Sequence, residues 1–526
     1  MPAVVTDQFR ILNASNFVDT VTGIGGTDPS SSFYVSVSLP NPTVVGFGRT
    51  STWDTATPNP VDNINNVNHI GDTTLFGKRV IGKNVRRLIR RVNWTQGTRY
   101  EMYRHDYSVS SPSPITQSSR LYDARYYVMN ENFNVYICID NGSSGINTTG
   151  NASQDVPTFT DLEPSKAGES GDGYIWKYLF TVPPNDIIKF DSTEYISVPS
   201  NWPTATTTQI QSVRENGDST INNNQIRKVY IEKQGFGYTQ NQSGVECDII
   251  GDGTGAKVVI DTDSEGKITK TNVSSGGSGY TYGMVDLGPV QKNTTVQVRA
   301  KLVPIIPPSR GHGYDLYKEL GTDKLLVYAR FDDSTKDFPT DTKFAQISII
   351  KNPTINGVGS TITFTANQFS SVNAVKVISP TGTPAIGEKI TQTVTNGTAK
   401  GYIVSFDSDT NVLKYYQDRS LYFNDTTGDQ TDYNNITSEA KVLAFESSAE
   451  KINATGGVQA SVDQNFSGIS TNPEGNKVIS LGVNFENGLA NPEINKGSGE
   501  VVYLDNRATI TRNSRQKEDI KIILEF

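Results

Sequence analysis

Residues 171–199 read GDGYIWKYLFTVPPNDIIKFDSTEYISVP, and this stretch decides the fold class. A glycine-rich turn leads into an aromatic run that stops at Pro183 and Pro184, and proline cannot donate a hydrogen bond to a strand ladder. The stretch therefore predicts strands bounded by turns. It favours a mainly β fold of the β-rich α+β class.

Other segments carry the same strand signal. FYVSVSL at 33–39 alternates like a half-buried strand, and YYVMNENFNVYICIDN at 126–141 predicts two strands about a polar turn. Within 353–496, the pieces AVKVISP, KGYIVSF and NVLKYYQ alternate with turn clusters. Strands are therefore expected along most of the chain.

One segment, KRVIGKNVRRLIRRVNW at 78–94, predicts an amphipathic helix instead. The apolar residues at helical spacing are Ile81, Val85, Leu88 and Val92. The basic residues on the other faces are Arg86, Arg87, Arg90 and Arg91. These four arginines form a possible partner interface for an acidic face on a neighbouring protein, and the alternative is a solvated helix face.

Composition sets the broad class. A chain of 526 residues predicts several domains, and 46 Gly with 24 Pro indicate many turns. The net charge of −8 argues against nucleic acid as a general partner, and no apolar run is long enough for membrane insertion. The two cysteines, Cys138 and Cys247, are too few for a disulfide framework, so both are expected to be buried in a protein assembled in a reducing cytoplasm.

An internal repeat divides the chain further. IRKVYIEKQGFGYT, ending at Thr239, matches ITKTNVSSGGSGYT, whose Thr281 lies 42 residues later. A period of this size signals a repeated supersecondary unit. We therefore predict a multidomain chain with one inserted β-domain at 205–300, which contains the hairpin repeat, and a second inserted β-domain at 353–496.

Several motifs occur in the order found in a known family. With these motifs, the sequence resembles the baseplate wedge protein eight family of contractile-tailed bacteriophages. The motifs are VVGFGRTSTWD (44–54), LIRRVNWTQGTRY (88–100), GDGYIWKYLFTVPP (171–184), EYISVPSNWP (194–203), FAQISIIKNP (344–353), GEVVYLDNR (499–507) and DIKIILEF (519–526). They assign 1–204, 301–352 and 497–526 to a wedge-protein core.

The resemblance implies a structural protein of the virion that works in the tail baseplate and is assembled in the host cytoplasm. It implies a homodimer that contacts neighbouring baseplate wedge proteins, with neither enzymatic activity nor a cofactor. The alternative is a tail module whose inserted β-domains bind host-surface glycan. A weaker alternative is glycan hydrolysis by paired carboxylates.

The sequence offers little reactive chemistry, and we predict no catalytic, cofactor-binding or metal-binding residue. Three histidines, His69, His105 and His312, give little material for a catalytic triad or a metal site. Two acidic loops fit a calcium loop incompletely and are expected to be hairpin turns. They contain Asp261, Asp263, Glu265 and Gly266, and Asp407, Asp409 and Asn411. Most of the four tryptophans, Trp53, Trp94, Trp176 and Trp202, are expected to be buried.

Overall fold

The computed structural model describes most of the chain. The described residues are 5–23, 31–40, 57–60, 62–291, 295–331, 342–357, 359–417, 443–473, 475, 477–513 and 516–526. The motif at 44–54, which includes Trp53, lies outside them.

The chain divides into two compact units. The first comprises Met1–Asn16, Arg86–Leu326 and Ile523–Phe526, and the second comprises Phe17–Val85 and Val327–Ile522. Strands hold far more of the described residues than helices do, which confirms the β-rich, multidomain fold class. The insertion boundaries at 205–300 and 353–496 stay predictions.

The described helices are α1 (Asp7–Thr22), α2 (Ile64–Thr73), α3 (Pro184–Phe190), α4 (Thr208–Gly217) and α5 (Leu316–Glu319). The strands before residue 305 are β1 (Phe33–Ser38), β2 (Thr74–Val80), β3 (Val85–Arg90), β4 (Tyr127–Met129), β5 (Asn134–Asn141), β6 (Tyr174–Thr181), β7 (Tyr195–Val198), β8 (Val229–Lys233), β9 (Val245–Gly251), β10 (Thr254–Thr262), β11 (Ile268–Ser278), β12 (Gly283–Val285) and β13 (Lys301–Pro304). The later strands are β14 (Lys324–Phe331), β15 (Lys343–Lys351), β16 (Gln368–Phe369), β17 (Asn373–Ile378), β18 (Lys389–Val394), β19 (Gly397–Asp407), β20 (Val412–Tyr416), β21 (Ile452–Ala454), β22 (Gln459–Val462), β23 (Gly468–Thr471), β24 (Ile479–Phe485), β25 (Leu489–Ala490), β26 (Glu500–Thr511) and β27 (Glu518–Glu525).

The core of the first unit is built on an antiparallel sheet of β4, β5 and β6. Trp176 on β6 is opposite Cys138 on β5, and both side chains are fully buried. Trp202 joins the same cluster, while Trp94 packs against it half-buried. Two of the three described tryptophans are therefore core residues. Both cysteines are free and buried, as predicted.

The segment after Pro183 differs from the prediction. Strands were expected across 171–199, but α3 begins at Pro184. Proline suits the first turn of a helix, because its fixed φ is helical and the N–H it lacks has no partner there. The proline that stops β6 therefore also starts a helix before the chain returns as β7.

A separate cluster in the first unit lies between Ile226 and Ile306 and is surrounded by β8 to β13. Tyr238 and Tyr280, which match each other in the sequence repeat, are both buried. The Tyr238 hydroxyl accepts the backbone N–H of Ala300 at 3.0 Å, and the Tyr280 hydroxyl accepts that of Ala256 at 3.1 Å. The repeated tyrosines thus make the same kind of bond.

The second unit contains an antiparallel sheet in the order β16, β2, β1, β15, β26. The predicted strand at 33–39 is β1, but it was expected to be half-buried and all six of its residues are buried. The alternating polar residues are accommodated by bonds inside the sheet, because Ser36 and Ser348 lie opposite each other with hydroxyl oxygens 2.6 Å apart. Another sheet, β17 to β22 with β25, closes through the pairing of β17 with β20.

The predicted helix at 78–94 is wrong. Its residues form the end of β2, a 3₁₀ turn at Gly82–Asn84, and β3. The burial pattern is not that of an amphipathic helix, because Arg87 and Ile89, which lie between the expected apolar positions, are buried as well as Leu88. One strand partner of β3 is β7, about a hundred residues away along the chain, so no local pattern could indicate the pairing.

Candidate functional site

The four arginines of the predicted interface do not share one surface. Arg86 lies against the acidic Asp186, with Nε 2.8 Å from Oδ2, and its side chain is mostly buried. Arg87 is buried with its guanidinium 4.0 Å from the centroid of the Tyr317 ring. A cation over an aromatic face is stabilised by the ring's quadrupole. These two arginines therefore hold the unit together from inside.

Arg91 is also used within the chain. Its Nη1 donates to both carboxylate oxygens of Asp191, at 2.9 and 2.8 Å, and to the Ser192 carbonyl oxygen. Arg90 differs, since its side chain is 57% exposed and its ion pair with Asp123 is longer, at 3.3 Å. Of the four predicted residues, only Arg90 presents much of its guanidinium to solvent.

Arg90 and Arg91 line a groove of about 380 Å³, which we call the arginine groove. Its lining residues are Arg90, Arg91, Val92, Asp123, Ala124, Arg125, Tyr127, Glu194 and Tyr195.

The arginine groove opens where the chain passes from one sheet to another. The Arg91 N–H donates to the Glu194 carbonyl oxygen at 2.7 Å, beside β7. One residue later, the Val92 carbonyl oxygen accepts the Met129 N–H at 2.7 Å, beside β4. Because the two neighbours of this segment belong to different sheets, they diverge and leave a recess between them.

No sequence motif indicates Arg125, the third cation of the arginine groove. Its side chain is exposed, whereas its backbone N–H donates to the fully buried carboxylate of Glu101 at 2.6 Å. The same carboxylate accepts the N–H of Thr116 at 2.8 Å. Since Glu101 lies more than twenty residues earlier in the chain, only the folded structure brings it to Arg125.

The histidines are part of the fold. The His69 Nε2 lies 3.1 Å from the Leu39 carbonyl oxygen, and the His105 Nδ1 accepts the Ile306 N–H at 3.1 Å. Burial lowers the pKa of His105, which suits that acceptor role. The His312 Nδ1 lies 2.6 Å from an oxygen of Glu319, and Glu319 also accepts the Gly313 N–H.

The two acidic loops are turns, as expected. Asp263 accepts the N–H groups of Glu265 and Lys267, and Asp407 accepts the N–H of Asp409. No group of three or more His, Cys, Asp and Glu in the described part of the chain could hold a metal ion. The described helices include none long and apolar enough to cross a membrane.

Lys177, in the middle of β6, is a buried cation that no sequence motif indicates. Its Nζ donates to the Leu162 carbonyl oxygen at 2.7 Å and to the Asn216 Oδ1 at 2.6 Å. Burial lowers the pKa of this ammonium to about 8, and the negative charges of Glu163 and Glu319 oppose that shift. The folded state therefore releases this proton more readily than the unfolded chain does.

This shift predicts a pH dependence of stability. Between pH 8 and the unfolded pKa near 10.5, the unfolded chain binds the proton that folded Lys177 has lost, so the contribution of Lys177 to stability rises with pH. Compared with Lys177→Met, the wild type should gain roughly 2 kcal/mol in free energy of unfolding from pH 8 to pH 10. Urea unfolding followed by tryptophan fluorescence measures both proteins. An unchanged difference between them would contradict the prediction.

Comparison with known proteins gives two matches. Residues 153–235 match the family described as Bacteriophage T4, Gp8. The chain is also similar to the "Baseplate wedge protein gp8" of Enterobacteria phage T4, with 25% identity over 225 residues. That alignment covers 38% of this chain and 61% of the relative, so the chain spans about three fifths of the relative's length.

Both matches are to one class, the baseplate proteins of phage tails. The resemblance to the baseplate wedge protein eight family is thereby confirmed. The region matched by the family contains β6, α3, β7, α4 and β8. It also contains the buried rings of Trp176 and Trp202.

Proposed function

We propose that this chain is a structural subunit of the tail baseplate wedge and acts in baseplate assembly through protein–protein interfaces. This role places the chain in the tail baseplate of the virion. The observation that carries the proposal is the match at 153–235 together with the similarity to a baseplate wedge protein. The matched segment contributes Trp176, Trp202 and other buried aromatic side chains to the core of the first unit, so the shared feature is part of the framework that supports the surface.

A density map of purified tails tests this role directly. We expect the folds of both units to fit density in the baseplate wedge, at a position repeated around the tail axis. Baseplates that are complete in a mutant lacking this chain would contradict the proposal, because a wedge subunit is needed to build the assembly.

We also propose that the chain forms a homodimer. Twofold dimers are the commonest closed assemblies, and they use one surface patch twice. Sedimentation of the purified full chain should give twice the monomer mass at micromolar concentration. A monomer mass throughout that range, with dimers absent from the tail map as well, would contradict this proposal.

One observation favours glycan binding as a second candidate function. The side chains of Ile250, Tyr282 and Met284 are each more than half exposed, and Met284 lies opposite Ile250 across the β9–β12 pair. An exposed aromatic ring on an apolar surface can stack on a sugar ring. A glycan array probed with the full chain and with Tyr282→Ala tests this. Glycan binding by the full chain that Tyr282→Ala abolishes would support this function. If the full chain binds no glycan on the array, the result would count against it.

A further inference from the structure

We propose that the arginine groove binds a short extended segment of a neighbouring protein through aspartate or glutamate carboxylates. The identity of that neighbour as a baseplate component rests on the proposed function, whereas the chemistry of the site does not. Arg90 and Arg125 are the binding cations, whereas Arg86, Arg87 and Arg91 bind within the chain.

Arg90 has unused binding capacity. Its contact with Asp123 is 3.3 Å long, and the same carboxylate lies 3.6 Å from Arg120. Arg120 in turn pairs with Asp7. A guanidinium has five N–H donors, and its strongest contact with a carboxylate is bidentate. An incoming carboxylate can therefore accept hydrogen bonds from the N–H donors of Arg90 that the shared Asp123 leaves unmatched.

Arg125 supplies a second cation in the arginine groove. Its side chain is exposed, and within the described residues its guanidinium makes neither an ion pair nor a side-chain hydrogen bond. In contrast, the guanidinium of Arg91 is held on Asp191. Arg90 and Arg125 are thus the two lining cations best able to bind a new anion.

The backbone of both binding arginines is held in place. The Tyr127 hydroxyl donates to the Arg90 carbonyl oxygen at 2.8 Å, and Glu101 holds the N–H of Arg125. Since the backbone is ordered before binding, a partner has to immobilise only the two exposed side chains. Preorganisation of this kind raises affinity by lowering the entropy lost on association.

The remaining lining residues select the type of anion. Glu194 is exposed and also lines the arginine groove, and Asp123 lies beside Arg90, so a dense polyanion would meet two like charges. The whole chain also carries a net charge of −8. A protein segment with isolated carboxylates avoids that repulsion, and the apolar parts of Val92 and Tyr127 can contact its backbone. These features favour a protein segment over nucleic acid.

The test measures binding of a fluorescein-labelled peptide, with two aspartates spaced by glycine and serine, to the purified full chain at low ionic strength. Fluorescence anisotropy should detect binding, and a peptide with asparagine in place of aspartate should bind at least about tenfold more weakly, as expected for charge-assisted bonds. Equal binding of both peptides, or none of the aspartate peptide at millimolar concentration, would overturn the proposal.

Charge-matched variants locate the site. Arg90→Glu/Arg125→Glu should weaken binding of the aspartate peptide by about tenfold or more. The control Arg99→Glu/Lys270→Glu changes the net charge equally at exposed residues outside the arginine groove, and it should change affinity by less than about twofold. If both variants lost affinity for the aspartate peptide equally, binding would depend on overall charge and not on the arginine groove, and the proposal would be wrong. Circular dichroism checks that both variants are folded.

The outcome is separable from that of the proposed function. If the peptide fails to bind while the chain is located in the baseplate, only the inference about the arginine groove falls. If the peptide binds as expected but the chain is missing from tails, the assignment to the baseplate falls and the site remains.

Discussion

Arg86→Glu/Arg87→Glu is expected to prevent folding of the first unit. The change places a carboxylate against Asp186 where Arg86 now donates at 2.8 Å, and it buries another carboxylate against the Tyr317 ring. Burying an unpaired charge and breaking a buried pair each cost several kcal/mol, so the total should be about 5 kcal/mol or more. Circular dichroism and urea unfolding of the purified variant measure this loss.

The matched control is Arg90→Glu/Arg125→Glu, which makes the same charge change on exposed side chains. Its free energy of unfolding should differ from that of the wild type by less than about 1 kcal/mol, because exposed ion pairs contribute little to stability. A folded Arg86→Glu/Arg87→Glu protein with wild-type stability would contradict the assignment of these arginines to the core. Replacing Arg86, Arg87, Arg90 and Arg91 together with glutamate would therefore disrupt folding, so the effect on binding could not be measured separately.

Trp202→Ala is expected to lower the free energy of unfolding of the first unit by about 4 kcal/mol. Trp202 is fully buried, and its Nε1 donates to the carbonyl oxygens of Gly313 and Tyr314, both at 3.1 Å. The ring also packs edge-on against Phe180. Truncation would leave a cavity and remove the donor for both carbonyl groups.

Two comparisons separate these effects. Trp202→Phe keeps an aromatic ring but loses the Nε1 donor, so its loss should be about 1 to 2 kcal/mol. Trp94→Ala, at a half-buried ring, should cost less than Trp202→Ala. The midpoints of urea unfolding, followed by circular dichroism, rank the three variants. Equal midpoints for Trp202→Ala and wild type would show that the ring does not support the core.

The β-rich class and the position of several strands could be predicted from the sequence alone. FYVSVSL, YYVMNENFNVYICIDN and the aromatic run before Pro183 all became strands, because strand formation by these residues depends on local side-chain character and on turn residues between them. The ordered motifs also led to the family that the comparisons support. Each of these conclusions needed only neighbouring residues or their order.

The roles of the arginines depend on contacts that form only in the folded chain. Four basic residues within six positions looked alike in sequence, yet Asp186, Tyr317 and Asp191 from distant segments hold three of them. The pairing of β3 with β7 made a strand of the predicted helix, and the contact between Val92 and Met129 brought the segment of Arg125 to the arginine groove. The fate of a charged side chain depends on which partners surround it after folding, and contacts across a hundred residues leave no local pattern.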